Sequence, residues 1–267
     1  MARDRFKEEK EYNDLIRLNT KEDVERIKSE INKILPRDLK IKAMNDSQIR
    51  LIKSIKSNEI TICAGPAGTG KTFVAMGIAL NLLKKSTNRF KKIYLVKSVK
   101  TLKDEEVGFL PGDIREKIEP AMWSFYLNME KVMTDIALKQ LVEKDIVRPA
   151  PLAFIRGASL DDCIIIADEM QNVTLDNSRT LLTRIGSNAK IILLGDTNQV
   201  DMRNKTDSSL ETLLNMFDNV ENMGVIKMSD EDTNIRNPLI TIIEKKYKEH
   251  IKKFDIGSRN GNGKNNN

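Results

Sequence analysis

Eight residues, Gly65-Pro66-Ala67-Gly68-Thr69-Gly70-Lys71-Thr72, constrain this chain more than any other stretch. A short apolar run, Ile60-Thr61-Ile62-Cys63-Ala64, precedes them, and Val74, Ala75, Met76, Ile78, Ala79, Leu82 and Leu83 follow. The order is strand, glycine-rich turn, helix. Glycines let successive backbone N–H groups turn toward bound phosphate. The Lys71 ammonium can reach the β and γ groups of a nucleoside triphosphate, and the Thr72 hydroxyl can ligate Mg²⁺. The candidate binding set is therefore Gly65, Pro66, Ala67, Gly68, Thr69, Gly70, Lys71 and Thr72. A glycine-rich turn that binds nothing would not need every one of these positions and both flanks.

A second strand with a charged tip supports the same chemistry. Cys163-Ile164-Ile165-Ile166-Ala167 is continuously apolar, as expected of a central parallel strand, and it ends at Asp168-Glu169. An aspartate at such a tip can associate with Mg²⁺, and the following carboxylate can polarise an attacking water. Gln171 and Asn172 come next, with amides able to sense a γ-phosphate. A helix predicted over 175–185 carries Arg179 and Arg184 and closes at Gly186. Lys190-Ile191-Ile192-Leu193-Leu194 reads as another strand, ending in the polar stretch Gly195 to Asp201, which contains Gln199. Adjacent strands would bring Asp168 and Gln199 to one edge. The fold class expected is α/β, a phosphate-loop fold with a mostly parallel sheet flanked by helices.

The whole chain of 267 residues is enough for one large core with small appendages. Residues 1–42 read as a charged arm and one helix, with a Thr20–Asp23 capping pair, a Val24, Ile27, Ile31, Ile34 stripe and a stop at Pro36. The core is expected over 43–250 and a disordered basic tail over 251–267. Asn45 is a candidate cap for a helix from Asp46 to Ile55. Gln48 on that helix could pair with adenine through donor and acceptor atoms, or could be an ordinary solvated glutamine. Between Lys84 and Lys103 the chain carries basic residues and no acidic one; Lys97, Lys100 and Lys103 follow a predicted strand, Ile93–Val96. They could contact RNA or single-stranded DNA backbones, or only solvate a loop. Val107 to Asp113 reads as a lid or substrate wedge. Trp123, Phe125 and Tyr126 read as core aromatics, Pro149 and Pro151 as bounds of a turn, and Leu152 to Ile155 as a short strand. Val225 to Met228 reads as a last strand. Ile235, Leu239, Ile242, Ile243 and Tyr247 mark a closing helix with Arg236 at its start.

Net charge is +6 with a pI near 9.1, compatible with a polyanionic partner without requiring one. Cys63 and Cys163 lie in apolar runs and read as buried reduced thiols, and the single His250 completes no zinc-ligand set. The first residues lack the apolar stretch of a signal peptide, and no stretch reaches the length of uninterrupted apolar residues that a membrane span needs. The expected location is the cytoplasm, with no membrane partner.

Together, Gly65–Thr72, Val107–Asp113, Pro151–Gly157, Asp168–Asn172, Leu182–Gly186, Gly195–Asp201 and Ile235–Leu239 resemble the PhoH-like family of ATP-binding proteins. The core of that family is similar to the first motor domain of superfamily 1 helicases, with its RecA-like sheet. The resemblance covers residues 43–250. It implies that Gln48 sits where adenine is read, that Lys71 serves phosphates, and that Thr72 and Asp168 serve Mg²⁺. It further implies that Glu169 serves water, that Gln199 senses the γ-phosphate, and that Arg184 or Arg236 stabilises charge. This chain has Lys97-Ser98 where the family usually has Arg-Pro, and Asn237 where it usually has histidine. Its Asn- and Lys-rich composition is similar to that of bacteriophage members, for which the location would be the host cytoplasm.

Superfamily 1 helicases close their site between two motor domains, and this chain has room for one. The expectation is a ring or other homo-oligomer, for example a hexamer, in which a neighbour supplies Arg184 or Arg236 in trans. Three functions compete. The first is an Mg²⁺-dependent ATPase coupled to RNA or single-stranded DNA. The second is an ATP-dependent interaction or assembly module with slow hydrolysis. The third is a kinase, disfavoured because the polar groups at 168–172 and 195–199 suit attack by water.

Overall fold

The computed structural model describes residues 21–37, 39–85, 90–97, 114–155, 160–202, 204–229, 232, 239, 242–243, 246–247 and 250, apart from the side chains at 21–23, 114–121 and 153–154. The arm over 1–19, the Thr20 cap, the Val107–Asp113 stretch and the tail over 251–267 lie outside the described residues.

Six strands form one sheet in the order β3-β2-β4-β5-β1-β6: β1 Ile60–Ala64, β2 Lys92–Lys97, β3 Val147–Pro151, β4 Cys163–Asp168, β5 Lys190–Gly195 and β6 Met223–Lys227. Every neighbouring pair is parallel. Parallel strands covered on both faces need apolar side chains at consecutive positions, and Ile164, Ile165 and Ile166 supply them with no exposed surface. Their side chains alternate. Ile164 and Ile166 join Cys63, Ile93, Leu95, Ile192 and Leu194 under one helical layer. Ile165 and Ala167 join Ile62, Tyr94, Val96, Ile191 and Leu193 under the other. The first layer contains α1 Lys21–Ile34, α2 Asp46–Ser57, α3 Lys71–Lys84, α4 Ile114–Met129 and α5 Asp135–Glu143; the second contains α6 Leu175–Leu182 and α7 Leu210–Met216. Each isoleucine buried in this way contributes about 1.5–3 kcal/mol.

The register brings the chemistry to one edge. Lys97 lies opposite Asp168, and Ala64 opposite both Gly195 and Lys227, so the carboxyl ends of the strands share a rim. Helix α2 begins as its sequence suggests: Asn45 Oδ1 accepts the Gln48 N–H at 2.8 Å. Helix α1 buries Ile27 and Ile31 and docks on the end of α3, where the Lys28 ammonium donates to the Leu83 carbonyl. Burial there lowers the Lys28 pKa to about 8.

Several local expectations are corrected. The strand expected over Leu152–Ile155 is a 3-10 turn, and the strand is Val147–Pro151 just before it. Pro149 and Pro151 are tolerated because β3 is an edge strand: residues two apart direct their backbone N side the same way, here away from β2. Helix α6 ends at Leu182, short of the expected 185, where the Arg184 N–H turns back to the Leu181 carbonyl and residues 184–186 pair with Leu160 instead of continuing the helix. In α4, Phe125 and Tyr126 are buried with Met122 and Met129, while Trp123 lies to the side of that stripe and is 60% exposed. Leu239, Ile242, Ile243 and Tyr247 are helical and carry exposed side chains. Among the described residues, no helix is long and apolar enough to cross a membrane.

Both cysteines are free and buried, as expected. Burial raises the Cys63 pKa to about 12 and pushes that of Cys163 upward as well. Since the thiolate is the reactive species, iodoacetamide at pH 8 is expected to leave both unmodified in the native protein and to modify both in denaturant. Mass spectrometry after timed labelling checks this; rapid native labelling would show that the core around β1 or β4 opens.

Candidate nucleotide-binding site

The loop between β1 and α3 has the geometry of an anion cradle. Gly68 and Gly70 have φ of 85° and 79°, a region that a side chain disfavours. Gly70 is the N-cap of α3 and no side chain caps that helix, so its first N–H groups are free to meet an anion. The loop is anchored at its start, where Gly65 N–H donates to the Gly195 carbonyl at 3.1 Å. Lys71 is 8% exposed. Its ammonium donates to the carbonyls of Gly65 at 2.6 Å and Pro66 at 2.8 Å, and to Thr69 Oγ1 at 3.3 Å. Burial lowers its pKa, opposed by the interactions with Cys63, Asp168, Asp196 and Glu169. Lysine and loop are thus held in mutual register by acceptors that phosphate oxygens can replace.

Gln48 approaches the same loop from α2. It is 2% exposed, donates from Nε2 to the Thr69 carbonyl at 2.9 Å and accepts the Met44 N–H at 2.9 Å. The solvated-glutamine reading is excluded, and the contact shown is with the phosphate loop itself.

Across the rim, Thr72 Oγ1 donates to Asp168 Oδ2 at 2.9 Å, joining the first turn of α3 to the tip of β4. Asp168 Oδ1 accepts the Glu169 N–H at 2.9 Å. A hydroxyl and a carboxylate at hydrogen-bond separation form an oxygen donor pair of the kind Mg²⁺ takes together with water and phosphate, so these residues fit that ion. Glu169 has φ of 59°, an uncommon conformation for a residue with a side chain. Burial raises its pKa and the Asp168 charge adds to the rise; the Gln171 hydrogen bond, Lys97 and Lys71 oppose it.

A family profile described as PhoH-like protein matches residues 40–248. The chain belongs to the PhoH-like family. It is 34% identical over 211 residues to the PhoH-like protein of Bacillus subtilis, covering 79% of this chain and 64% of that protein. It is 32% identical over 195 residues to protein PhoH of Escherichia coli K12, covering 72% of this chain and 54% of that protein. The chain therefore spans less than two thirds of the length of these relatives. Among solved structures, the large terminase of a thermophilic bacteriophage aligns with a TM-score of 0.43 and 10% identity, over 73% of this chain and 48% of that one. The Sulfolobus solfataricus SWI2/SNF2 ATPase core in complex with double-stranded DNA aligns with a TM-score of 0.36 and 15% identity, over 67% and 37%.

In this PhoH-like chain the fold gathers Gln48, the Gly65–Thr72 loop, Asp168 and Glu169 at one place. Gln199 lies in the turn after the adjacent strand, β5; its side chain is exposed and its N–H donates to the Asp196 carbonyl at 3.1 Å. Arg184 is not part of the gathering. Its carbonyl accepts the Leu160 N–H at 3.0 Å, and Leu160 bridges Ile185 ahead of β4 and β5, at the amino ends of the strands. The length of β4, roughly 16 Å at about 3.3 Å per residue, separates that end from Asp168 and exceeds the reach of an arginine side chain. Arg236, Lys100 and Lys103 lie outside the described residues. Lys97 is at the rim, its ammonium 5.9 Å from the centre of the Phe125 ring. Sequence reasoning did not anticipate that Gln171 and Asn172, next to Glu169, are both buried and pair with the 195–201 loop. Their position directly after the strand-tip carboxylates was the available signal.

Proposed function

We propose that this chain is an Mg²⁺-dependent ATPase whose hydrolysis is coupled to RNA or single-stranded DNA within a homo-oligomer. The observation that carries the hydrolytic part is the 2.9 Å Thr72–Asp168 hydrogen bond, which sets a metal-competent oxygen pair beside Glu169 and the Lys71 loop. Bound Mg²⁺ would draw negative charge off the phosphates. Lys71 and the N–H groups of the loop and α3 hold the phosphates, and Gln48 fixes the loop through Thr69. Glu169 accepts the proton of the attacking water, and Gln199 reports on the γ-phosphate.

The nucleic-acid part is supported by net charge and by Lys97 on the same rim as Asp168. The oligomer is supported by Arg184, which stands a strand length from its own site and would serve a neighbour's. In the alternative reading, ATP drives assembly and hydrolysis is incidental.

Steady-state ATPase measured alone, with RNA, and with single- and double-stranded DNA at two salt concentrations tests the proposal. Stimulation by one single-stranded polymer, weakened at higher salt, is expected. Turnover unchanged by every polymer, with light scattering that grows on adding ATP, would select the assembly reading. A strictly monomeric protein with full activity would remove the trans arginine.

A further inference from the structure

Two side-chain amides lace the turn after β4 to the loop after β5. Gln171 is 1% exposed and spans the gap: its Nε2 donates to Glu169 Oε2 at 2.6 Å, and its Oε1 accepts the Asp196 N–H at 3.0 Å. One residue on, Asn172 Oδ1 accepts the Asp201 N–H at 2.8 Å, and its Nδ2 donates to Asp201 Oδ2 at 3.3 Å. Gln171 lies close against the backbone of Gly195. A Cβ on Gly195 would lie 2.7 Å from Gln171 Oε1 and 2.6 Å from Leu210 Cδ2, so the glycine makes the room the amide occupies.

Glu169 needs such a partner. Its backbone is in the left-handed region, its carboxylate is half-buried, and a carboxylate free to change rotamer is a poor acceptor for a proton from one particular water. The like charge of Asp168 pushes on it, while Lys97 and Lys71 attract it from other elements. The short contact from Gln171 selects one orientation among these pulls.

We propose that Gln171 is a positioning residue: its Nε2–Oε2 hydrogen bond fixes the Glu169 carboxylate for hydrolysis and ties that orientation to the Gly195–Asp201 loop. The inference rests on the assignment of Glu169 as the group that accepts the proton from water. Movement of the loop that carries Gln199 is then transmitted to Glu169 through a single amide.

The test is a double-mutant cycle on kcat, with ATP affinity followed separately by a fluorescent ATP analogue. Gln171→Met keeps the volume and removes both hydrogen bonds; it is expected to lower kcat about 10- to 100-fold while ATP still binds. In a Glu169→Asp background, whose shorter carboxylate Gln171 does not reach, the same substitution is expected to change kcat by no more than about twofold. Wild-type kcat in Gln171→Met overturns the proposal, as does an equal loss in both backgrounds, which is what a purely structural role gives. If Gln171→Met does not fold, Gln171→Glu decides by the same two comparisons, since it keeps the shape and the acceptor for Asp196 and loses the donor. Glu169→Gln separates the two levels. Full turnover there sinks the role of Glu169, whereas turnover lost there and kept in Gln171→Met sinks only the role of Gln171.

Discussion

Replacing Lys71 by alanine is expected to lower kcat/KM for ATP by about 10³-fold or more. Two losses add. The ammonium is the cation inside the phosphate loop, and charge developing on the transferred phosphoryl group has no equivalent donor once it is gone. The loop also loses its internal tie, because Lys71 bonds the carbonyls of Gly65 and Pro66 and the hydroxyl of Thr69. ATP affinity should fall together with turnover, which equilibrium binding of a fluorescent ATP analogue measures. The sheet does not depend on this side chain, so a cooperative thermal transition should persist. Turnover within tenfold of wild type in the folded variant would show that the loop is not the site of hydrolysis.

Glu169→Gln is expected to separate the two functions that Lys71→Ala removes together. The amide has nearly the shape of the carboxylate and still offers Gln171 an oxygen, so the turn after β4 is preserved. It cannot accept a proton from water. Turnover should fall by about 10²–10⁴-fold, the usual contribution of a positioned general base, while ATP remains bound. Single-turnover hydrolysis alongside equilibrium binding distinguishes this from a defect in affinity. If affinity falls as steeply as turnover, Glu169 acts in holding the nucleotide, and another group activates the water.

The parts of the fold that were legible in sequence are those in which one physical demand fixes several neighbouring residues. β1, the phosphate loop and α3 are one such unit, and β4 with Asp168 at its tip is another; both strands are buried on both faces, β4 apolar up to its tip and β1 apolar except at Thr61, whose hydroxyl pairs with that of Ser54. β3 was not legible. Its prolines read as turn residues, and only knowledge that it occupies an edge makes them acceptable. Trp123 resembles its aromatic neighbours in type, but the register of α4 buries Met122, Phe125, Tyr126 and Met129 and leaves Trp123 facing solvent. At the site, local chemistry singled out Lys71, Thr72, Asp168 and Glu169, and the fold brings these four to one rim. The burial of Gln171, set against the exposure of Gln199, depends on Gly195 and Leu210 and so on packing between distant segments. The same holds for Arg184. Its residue type suggested catalysis, and only the Leu160–Ile185 bridge puts it at the far end of the strands.

The two prolines of β3 also decide how copies of this chain can meet. An edge strand that offers outward N–H groups is a template for a strand from another molecule. Pro149 and Pro151 remove two of the three outward donors from the β3 rim, so that rim is a poorer template for a foreign strand than β6, whose residues Met223 to Lys227 include no proline. Growth of the sheet across a molecular boundary is thereby disfavoured on the β3 side. The homo-oligomer proposed above would then avoid the β3 rim and join its protomers through β6, helices or loops.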